Sequence, residues 1–239
     1  MSREELLRSS AASIGVNLND TQVRQFIKYY EILVEWNSFM NLTGITEYEE
    51  VVQKHFVDSL ALCKSMDMGK VSTLIDIGTG AGFPGIPLKI AYPHLKVTLL
   101  DSLQKRIKFL NEVVMQLGLE EVETIHGRAE DFAKPFMKRE SYDVCVSRAV
   151  ANLASLSEYC LPYVKLGGYF VPYKSGKVEE ELEEAKKAVF LLGGKIEEEV
   201  KFMLPDSDIS RSLIKIKKVS ATPKKYPRKS GLATKEPIK

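Results

Sequence analysis

The sequence predicts an α/β protein with a seven-stranded, mostly parallel sheet, helices on both faces and an N-terminal helical extension. Two observations carry this prediction. Short apolar segments alternate with helical patterns from residue 72 onward, which is typical of parallel strands joined by crossover helices. The last two strand candidates have no helix between them, which favours a hairpin and an antiparallel strand at or near the sheet edge.

The individual elements follow from the spacing of apolar residues. The first 68 residues show helical patterns, one over residues 20–40 with Asn19 or Asp20 as its N-cap and one over about residues 47–66. Strands are predicted at 72–77, 96–100, 122–125, 142–146, 169–173, 197–203 and 212–219. Helices are predicted between them at 84–91, 103–117, 152–164 and 178–192. The chain therefore divides into a helical extension (1–68), a sheet domain (69–220) and a tail (221–239).

The composition is that of an ordinary soluble globular protein. Hydrophobic residues make up 44% of the 239 residues and charged residues 28%, so the chain can bury a substantial core. No segment approaches the roughly 18 consecutive apolar residues that cross a membrane. The first ten residues lack the apolar stretch of a signal peptide. We therefore expect a cytoplasmic protein without a membrane partner.

Cysteine and histidine indicate neither a disulfide framework nor a metal site. The three cysteines, Cys63, Cys145 and Cys160, contain no C-x-x-C pair, and their odd number argues against a disulfide framework. The three histidines lack a metal-ligand spacing such as H-E-x-x-H. We expect no metal.

Charge is distributed unevenly along the chain. The net charge is only +2, yet residues 215–239 hold nine Lys or Arg and one acid, a local charge of +8. The remaining 214 residues hold 25 basic and 31 acidic groups, a charge of −6. A basic tail on an acidic body suggests a polyanionic partner, because Lys and Arg neutralise phosphates. A tail that only improves solubility is the alternative.

The strongest local motif is the segment DIGTGAGFPG, which begins at Asp76 near the end of the first predicted strand. Its glycines, among them Gly78 and Gly80, permit positive φ and let a ligand approach the backbone closely. Phe83 stands where the dinucleotide fingerprint has its third glycine. The motif alone is weak evidence, but its place between a strand and a helix favours a cofactor-binding turn.

An acidic residue follows the second predicted strand. Asp101 lies 23 positions after Gly78, and an acid about 20 residues after the loop is placed to accept hydrogen bonds from ribose hydroxyls. The alternative is that Asp101 only caps the helix that starts near Leu103. Loop and acid together predict a cofactor that contains adenosine, without separating S-adenosylmethionine from NAD.

Several longer motifs resemble one bacterial family. The stretches DIGTGAGFPGIPL, LLDSLQKRIKFL, HGRAEDF and VSRAVANL, in this order, look like those of the bacterial 16S ribosomal RNA guanine-N7 methyltransferases, also called the glucose-inhibited division protein B family. The pieces NLTGI, HFVDSL, YKSGK and KYPRKSGLATKEP extend the resemblance over nearly the whole chain. The resemblance implies a Rossmann-like class I methyltransferase fold, S-adenosylmethionine bound in the 69–220 domain, and 16S rRNA or the small ribosomal subunit as partner.

Matching residues imply a cofactor site. Its members would be Gly78, Gly80, Phe83, Ala129, Glu130 and Arg148, with Asp101 near the ribose. Ala129 and Glu130 follow the third predicted strand, where a backbone N–H and a carboxylate could read an adenine edge; for Glu130 an acid at a helix start is the alternative. Arg148 follows the fourth strand and could hold the methionine carboxylate, an RNA phosphate or a salt-bridge partner at the sheet rim.

The segment after the fourth predicted strand lacks the catalytic residues of two other methyltransferase classes. Amino-group enzymes carry an N-P-P-Y-like tetrapeptide where this chain has Ser147-Arg148-Ala149. Cytosine-C5 enzymes need a nucleophilic cysteine, and Cys145 lies inside the strand, where we expect it in the core. Guanine N7 carries no proton and its lone pair is available at neutral pH. We therefore predict no general base and no catalytic side chain.

Four basic residues are candidate RNA contacts under this resemblance: Lys174, Arg228, Lys229 and Lys235. In this interpretation residues 224–239 lie across the site and bind phosphates, with Tyr226 available for stacking; a disordered tail is the alternative. His55 and Asp58 lie three apart on a predicted helix and are expected to pair with each other. We expect a monomer.

Two other functions stay open from the sequence. An NAD(P)-dependent oxidoreductase would share the loop and the acid, although the G-x-G-x-G-F loop and the lack of an obvious acid–base residue speak against it. A non-enzymatic RNA-binding module with a vestigial cofactor pocket is the other.

Overall fold

The computed structural model describes residues 1–148, 151–175 and 178–238. Its centre is a seven-stranded sheet in the order β3-β2-β1-β4-β5-β7-β6. The strands are β1 (Thr73–Ile77), β2 (Lys96–Asp101), β3 (Val122–His126), β4 (Tyr142–Arg148), β5 (Val164–Ser175), β6 (Gly194–Met203) and β7 (Ser210–Lys218). Ala149 of the Ser147-Arg148-Ala149 segment, the last two residues of the YKSGK piece and Lys239 of the tail lie outside the described residues.

Strand direction determines where a ligand can bind. β1 pairs in parallel with β2 and β4, as β2 does with β3 and β4 with β5. β7 runs antiparallel between β5 and β6. The chain moves outward from β1 to β3 and then returns to the other side of β1 as β4. Such a reversal of strand order leaves a crevice at the carboxyl ends of the two central strands.

The prediction of a mostly parallel sheet with a C-terminal hairpin is confirmed. All seven predicted strands overlap an observed strand. β5 begins at Val164, five residues before the predicted start, because the polar run through Gly167 and Gly168 hides its first half. Glycine is uncommon inside strands, so the pattern alone placed the strand too late.

Helices cover both faces of the sheet. They are α1 (Arg3–Ala12), α2 (Asp20–Met40), α3 (Tyr48–Val51), α4 (Asp58–Leu60), α5 (Gly85–Ala91), α6 (Gln104–Gln116), α7 (Ala129–Phe132), α8 (Leu153–Cys160), α9 (Glu179–Leu191) and α10 (Leu232–Lys235). Leu74 of β1 packs in one core with α1, α2, α5 and α6, and its neighbour Ile75 packs in a second core with α8 and α9. Since successive side chains of a strand point to opposite faces, the two cores lie on opposite sides of the sheet.

The N-terminal extension packs directly against the sheet domain. Phe26 and Phe56 are buried in one cluster with Val97 of β2. Asn19 is the N-cap of α2, as predicted, and its side chain accepts a hydrogen bond from the amide of Gln22 at 2.9 Å. Within the described residues no helix is both long enough and apolar enough to span a bilayer.

The segment predicted to be helical, about residues 47–66, is helical from Tyr48 to Lys64 but consists of several helix types. α3 leads into a π-helix over Val52–Val57, which is followed by α4 and by a 3-10 turn over Ala61–Lys64. The spacing of apolar residues predicts helical structure here, but it does not distinguish the wider π turn from an α turn. π turns are rare and are frequent at functional sites. This one contains His55 and ends next to Asp58.

Candidate functional site

The glycine-rich turn after β1 curls over the end of β2. The amides of Gly78 and Thr79 donate to the carbonyl of Leu100, at 2.8 and 3.2 Å. Gly78, Gly80 and Gly82 have φ angles of 70°, 62° and 94°. Side chains strain the backbone at such angles, so the alternate glycines in the sequence follow from the shape of the turn.

Two of these glycines face different surroundings. A Cβ atom at Gly80 would have no heavy atom within 4 Å. A Cβ atom at Gly82 would lie 2.7 Å from Ile86 Cγ1 and 2.8 Å from the Tyr29 hydroxyl. Gly82 is therefore required by packing, whereas Gly80 borders open space that a ligand can occupy.

Asp76 anchors the turn from the end of β1. Its side chain is buried, and Oδ2 accepts hydrogen bonds from Thr79 Oγ1 at 2.7 Å and from the amide of Gly85 at 2.8 Å. Among the described residues, Asp76 Oδ1 is the one fully buried side-chain polar atom without a hydrogen-bond partner. Burial raises the pKa of Asp76 from 3.8 to about 6, against the lowering effect of its hydrogen bonds.

Asp101 ends β2 and is only 1% exposed. Its Oδ2 accepts from the amide of Gly80 at 2.9 Å and from Arg106 Nη1 at 3.1 Å, while Oδ1 accepts from the amide of Leu103 at 2.9 Å. The carboxylate thus ties the glycine turn to the start of α6. Of the two roles considered for Asp101, the structure displays the contact at the helix start, and the ribose contact stays a prediction.

A cleft of about 170 Å³ opens beside the ends of β1, β2 and β3; we call it the glycine cleft. Its lining is mostly turn backbone and short loops, and consists of Ile77, Gly78, Leu100, Ser102, Gly127, Arg128, Ala129, Glu130 and Tyr159. Three residues predicted to bind a cofactor, Gly78, Ala129 and Glu130, lie together in this lining. The structure thus brings residues that follow β1 and residues that follow β3 into one cavity.

Phe83 lies beneath the turn in an aromatic cluster. It is 6% exposed and stacks on the ring of His55, with 4.6 Å between ring centroids. Tyr29 and Phe56 pack against it from the N-terminal helices. The guanidinium carbon of Arg148 lies 5.1 Å from the Phe83 ring centre, within cation–π range. Phe83 therefore connects the N-terminal extension with the end of β4.

A second cavity, of about 500 Å³, lies beside the ends of β4 and β5; we call it the arginine pocket. Its lining is largely charged and consists of Ile45, Lys54, His55, Asp58, Arg148, Tyr173, Lys174, Ser175, Glu181 and Arg211. Four cations and two acids in this lining leave an excess of two positive charges. Ser147 Oγ donates to the carbonyl of Ile77 at 2.7 Å, so the ends of β4 and β1 are adjacent and both cavities open at the same sheet edge.

Asp58 holds two arginines of this pocket. Its side chain is 2% exposed; Oδ2 accepts from Arg148 Nη1 at 2.9 Å and Oδ1 from Arg211 Nε at 3.1 Å. The predicted pairing of His55 with Asp58 is wrong, because the two guanidinium groups occupy both carboxylate oxygens with stronger, charge-assisted bonds. His55 Nε2 instead lies 2.9 Å from Thr43 Oγ1.

His55 is a weak base in this setting. Burial and the nearby charge of Arg148 lower the pKa of His55 from 6.5 to about 4, although a hydrogen bond to the backbone of Lys54 acts in the opposite direction. Its imidazole is therefore neutral at pH 7.

Lys174 enters the arginine pocket from β5. Its Nζ donates to the carbonyl of Ala151 at 2.8 Å and to Glu181 Oε1 at 2.6 Å. The same oxygen of Glu181 accepts from the amide of Leu153 at 2.5 Å, which joins β5 to the start of α8. Among the described side chains, no three His, Cys, Asp or Glu residues are grouped so that they could hold a metal ion.

The basic tail packs against α8. Arg228 Nε and Nη2 bind the two oxygens of Glu158, at 2.9 and 2.6 Å. The prediction that Tyr226 is available for stacking is wrong, because burial of its ring in the core with α8 and α9 leaves it 8% exposed. Lys229 and Lys235 are exposed. Thus one of the three predicted RNA contacts in the tail, Arg228, is committed to a carboxylate.

Several residues of the two cavities were not predicted. Arg211 of β7 and Lys54 of the π-helix line the arginine pocket, and Tyr159 of α8 lines the glycine cleft. No local pattern marks Arg211, because it reaches the site through the pairing of β7 with β5. Lys54 could have been found, since it lies one helical turn before Asp58 in the predicted helix.

The family model and the individual relatives that match this sequence agree with one another. The family of rRNA small subunit methyltransferase G matches residues 22–214 of this chain. The ribosomal RNA small subunit methyltransferase G of Lachnoclostridium phytofermentans is 63% identical over 226 residues, which cover 95% of this chain and 93% of that protein. Its namesakes in Clostridium novyi and Alkaliphilus metalliredigens are 52% and 51% identical, over 98% and 100% of this chain and 96% and 100% of their own lengths.

Solved structures share the fold at low sequence identity. A SAM-dependent methyltransferase from Aquifex aeolicus has a TM-score of 0.52 at 19% identity, covering 70% of this chain and 92% of its own. M. jannaschii TYW2 in complex with AdoMet has a TM-score of 0.51 at 16% identity, covering 63% of this chain and 70% of its own. The predicted Rossmann-like class I methyltransferase fold is confirmed. The match of the family over residues 22–214 and the three relatives together establish that the chain belongs to the rRNA small subunit methyltransferase G family.

Proposed function

We propose that this protein transfers the methyl group of S-adenosylmethionine to N7 of a guanosine in the 16S ribosomal RNA of the small subunit. Its relatives are named as rRNA small subunit methyltransferases, which supports the reaction and the class of substrate. The observation that carries the choice of atom is the arginine pocket. It is cationic and it adjoins the glycine turn, both oxygens of its Asp58 are bound by arginines, and burial lowers the pKa of its His55.

The glycine cleft and the turn beside it fit S-adenosylmethionine. The open space at Gly80 gives the cofactor a path along the backbone, and Asp76 Oδ1 is a buried acceptor without a protein partner. We assign the adenine to Ala129 and Glu130 in the cleft and the ribose to the neighbourhood of Asp101. The cleft alone is smaller than the roughly 300–1,000 Å³ of typical ligand sites. The methionine half therefore belongs over the turn, toward Phe83 and Arg148.

The arginine pocket suits a nucleophile that carries no proton. Both oxygens of Asp58 are bound by arginines, and His55 has a pKa of about 4. Guanine N7 needs no base, since its lone pair is already available. When bound, S-adenosylmethionine supplies a methyl group activated by its sulfonium. The residues of the pocket have only to hold N7 in line with that methyl group, at near-attack distances of about 3–3.5 Å.

Two side chains of the arginine pocket are suited to bind the edge of guanine that does not face the methyl group. N7 must face the methyl group, so the base has to be held by O6 and its Watson–Crick edge. Glu181 is the acid of this lining that no arginine binds, and it suits the N1–H and N2–H donors of guanine. Lys174 beside it suits O6. A base that enters this pocket has left its stack, as in other enzymes that act on nucleobases.

The remaining cations suit the RNA backbone. We propose that Arg211 binds a phosphate next to the target nucleotide and that exposed Lys229 and Lys235 bind phosphates farther away. Arg228, predicted as an RNA contact, is paired with Glu158, so we assign it to holding the tail in place. One chain supplies both cavities; we propose that it acts as a monomer in the cytoplasm.

The test is methyl transfer from S-adenosylmethionine with a tritiated methyl group. Substrates are 16S rRNA and small subunits from a strain that lacks this modification. We expect label in 7-methylguanosine, identified by mass spectrometry of a nuclease digest. Label in another nucleoside contradicts the proposed atom. Binding of NAD without binding of S-adenosylmethionine in calorimetry favours an oxidoreductase, and RNA binding without transfer favours a non-enzymatic module.

A further inference from the structure

The chain after residue 214, where the match to the family ends, contacts two residues that line the glycine cleft. Arg139, in the loop before β4, receives this segment: its guanidinium donates to the carbonyls of Thr222 at 2.6 Å and Tyr226 at 2.9 Å. Tyr226 is buried in the core formed with α8 and α9. Residues 222–226 are thus folded onto the sheet domain.

Beyond Tyr226 the tail is fastened to α8. The Arg228 guanidinium binds both oxygens of Glu158, whose side chain is 1% exposed, and the amide of Arg228 donates to the same carboxylate at 2.8 Å. Ser155 Oγ, one turn earlier on α8, donates to the carbonyl of Ala233 at 2.6 Å. A bidentate ion pair with a buried carboxylate fixes both distance and orientation. Arg228 therefore determines where residues 229–235 lie.

Two contacts of this fastened segment reach the lining of the glycine cleft. The amide of Gly231 donates to Glu130 Oε1 at 3.0 Å. The hydroxyls of Thr234 and Tyr159 are 2.7 Å apart. Glu130 and Tyr159 both line the cleft, so the tail holds two of its side chains. Within the described residues, Oε1 is the oxygen of Glu130 that takes a protein hydrogen bond, which leaves Oε2 for a ligand.

We propose that the tail is part of the cofactor site: Arg228 and Gly231 are positioning residues that orient Glu130 to read the 6-amino group of adenine. An ionised carboxylate only accepts hydrogen bonds, so it favours the amino group of adenine and disfavours the carbonyl of hypoxanthine. The hydrogen bond from the Gly231 amide orients the Glu130 carboxylate, and the Arg228–Glu158 ion pair determines where that amide lies. The inference rests on S-adenosylmethionine being the cofactor, as proposed above.

The test compares two ligands that differ at this one group, S-adenosylhomocysteine and S-inosylhomocysteine, by calorimetric titration of the full chain. We expect the unsubstituted protein to prefer the adenosyl compound at least tenfold. Arg228→Gln should lower this preference at least fivefold, mainly by weakening the adenosyl compound. Lys187→Gln is the control, because it removes the same charge from an exposed position of α9 that lines neither cavity, and it should leave the preference unchanged.

Arg228→Gln leaves Glu158 buried without its cation, which can unfold the region. The double variant Arg228→Gln/Glu158→Gln removes both charges and is expected to lose the preference in the same way while keeping the fold by circular dichroism. An unchanged preference in these variants overturns the inference, and so does an equal weakening of both ligands, which indicates a structural role alone. If the unsubstituted protein binds neither compound, the proposed function itself fails.

Discussion

Gly80 and Gly82 are two residues apart in one turn, yet a methyl group added to each has a different consequence. At Gly80 it enters open space beside the glycine cleft, and at Gly82 it meets Ile86 and Tyr29 at 2.7 and 2.8 Å. Both have positive φ, so both substitutions carry backbone strain of roughly 1–2 kcal/mol. The difference between them isolates the role of the open space.

We expect Gly80→Ala to weaken binding of S-adenosylmethionine at least tenfold, because its methyl group occupies the path of the cofactor. Its free energy of unfolding should fall by no more than the strain, about 1–2 kcal/mol. Gly82→Ala should lose about 1–3 kcal/mol more, since its methyl group also overpacks the core. Calorimetric titration and urea denaturation measure the two effects. Undiminished cofactor binding by Gly80→Ala would remove this turn from the cofactor site.

Residues that follow a strand directly could be predicted as neighbours; residues brought in by tertiary structure could not. Gly78, Ala129 and Glu130 each follow a parallel strand, and parallel strands end at one edge, so their grouping in the glycine cleft follows from the β–α alternation. Gly231 contacts Glu130 because the tail folds back onto the sheet domain, and Arg211 reaches the arginine pocket because β7 pairs with β5. The residues next to them in the sequence do not predict either position.

At the level of elements, the π-helix and β7 cooperate through Asp58. The carboxylate at the end of the π-helix binds Arg211, which lies on β7 opposite Ser175 of β5. The pairing of β7 with β5 thus places Arg211 in the arginine pocket. The helical pattern over residues 47–66 predicted helical structure but not the π-helix within it, because apolar spacing alone does not distinguish the two helix types.

We expect Arg211→Gln to weaken RNA binding while leaving the affinity for S-adenosylmethionine unchanged. Loss of one phosphate contact should flatten the dependence of log Kd on log salt by about 0.7 to 1. Lys215→Gln is the control, since it removes the same charge from the same strand and Lys215 is not in the lining of the arginine pocket. Fluorescence titrations of labelled RNA at several salt concentrations give the slopes. Equal slopes for Arg211→Gln and the unsubstituted protein would show that Arg211 touches no phosphate.

At the scale of the whole molecule, the titrations of Asp76 and His55 have opposite effects on stability. Folding raises the pKa of Asp76 to about 6, so its contribution to stability is present below 3.8 and is lost as pH rises through 6. Folding lowers the pKa of His55 to about 4, so its contribution is present above 6.5 and is lost as pH falls through 4. Each shift corresponds to about 3 kcal/mol. The two contributions largely cancel between pH 4 and 6.

We expect single substitutions of Asp76 or His55 to reveal these two pH dependences of stability, which largely cancel in the unsubstituted protein. Relative to the unsubstituted protein, Asp76→Asn should gain about 2 kcal/mol of stability as pH rises from 4 to 6. His55→Gln should gain about as much as pH falls from 6.5 to 4. The double variant serves as control, since its difference from the unsubstituted protein should change little with pH. Urea denaturation at half-unit pH steps measures this, and single-variant differences that are constant with pH would contradict it.

The place of β7 between β5 and β6 constrains how the chain can reach its native state during synthesis. β6 leaves the ribosome first, but its partner in the sheet is β7, which is made later and must itself be bonded to β5. The edge of β5 that faces β7 therefore stays unpaired until β7 has emerged, and the tail residues that contact the glycine cleft come later still. Nascent chains that stop before β7 therefore carry an incomplete sheet, and those that stop before Gly231 lack the amide that binds Glu130.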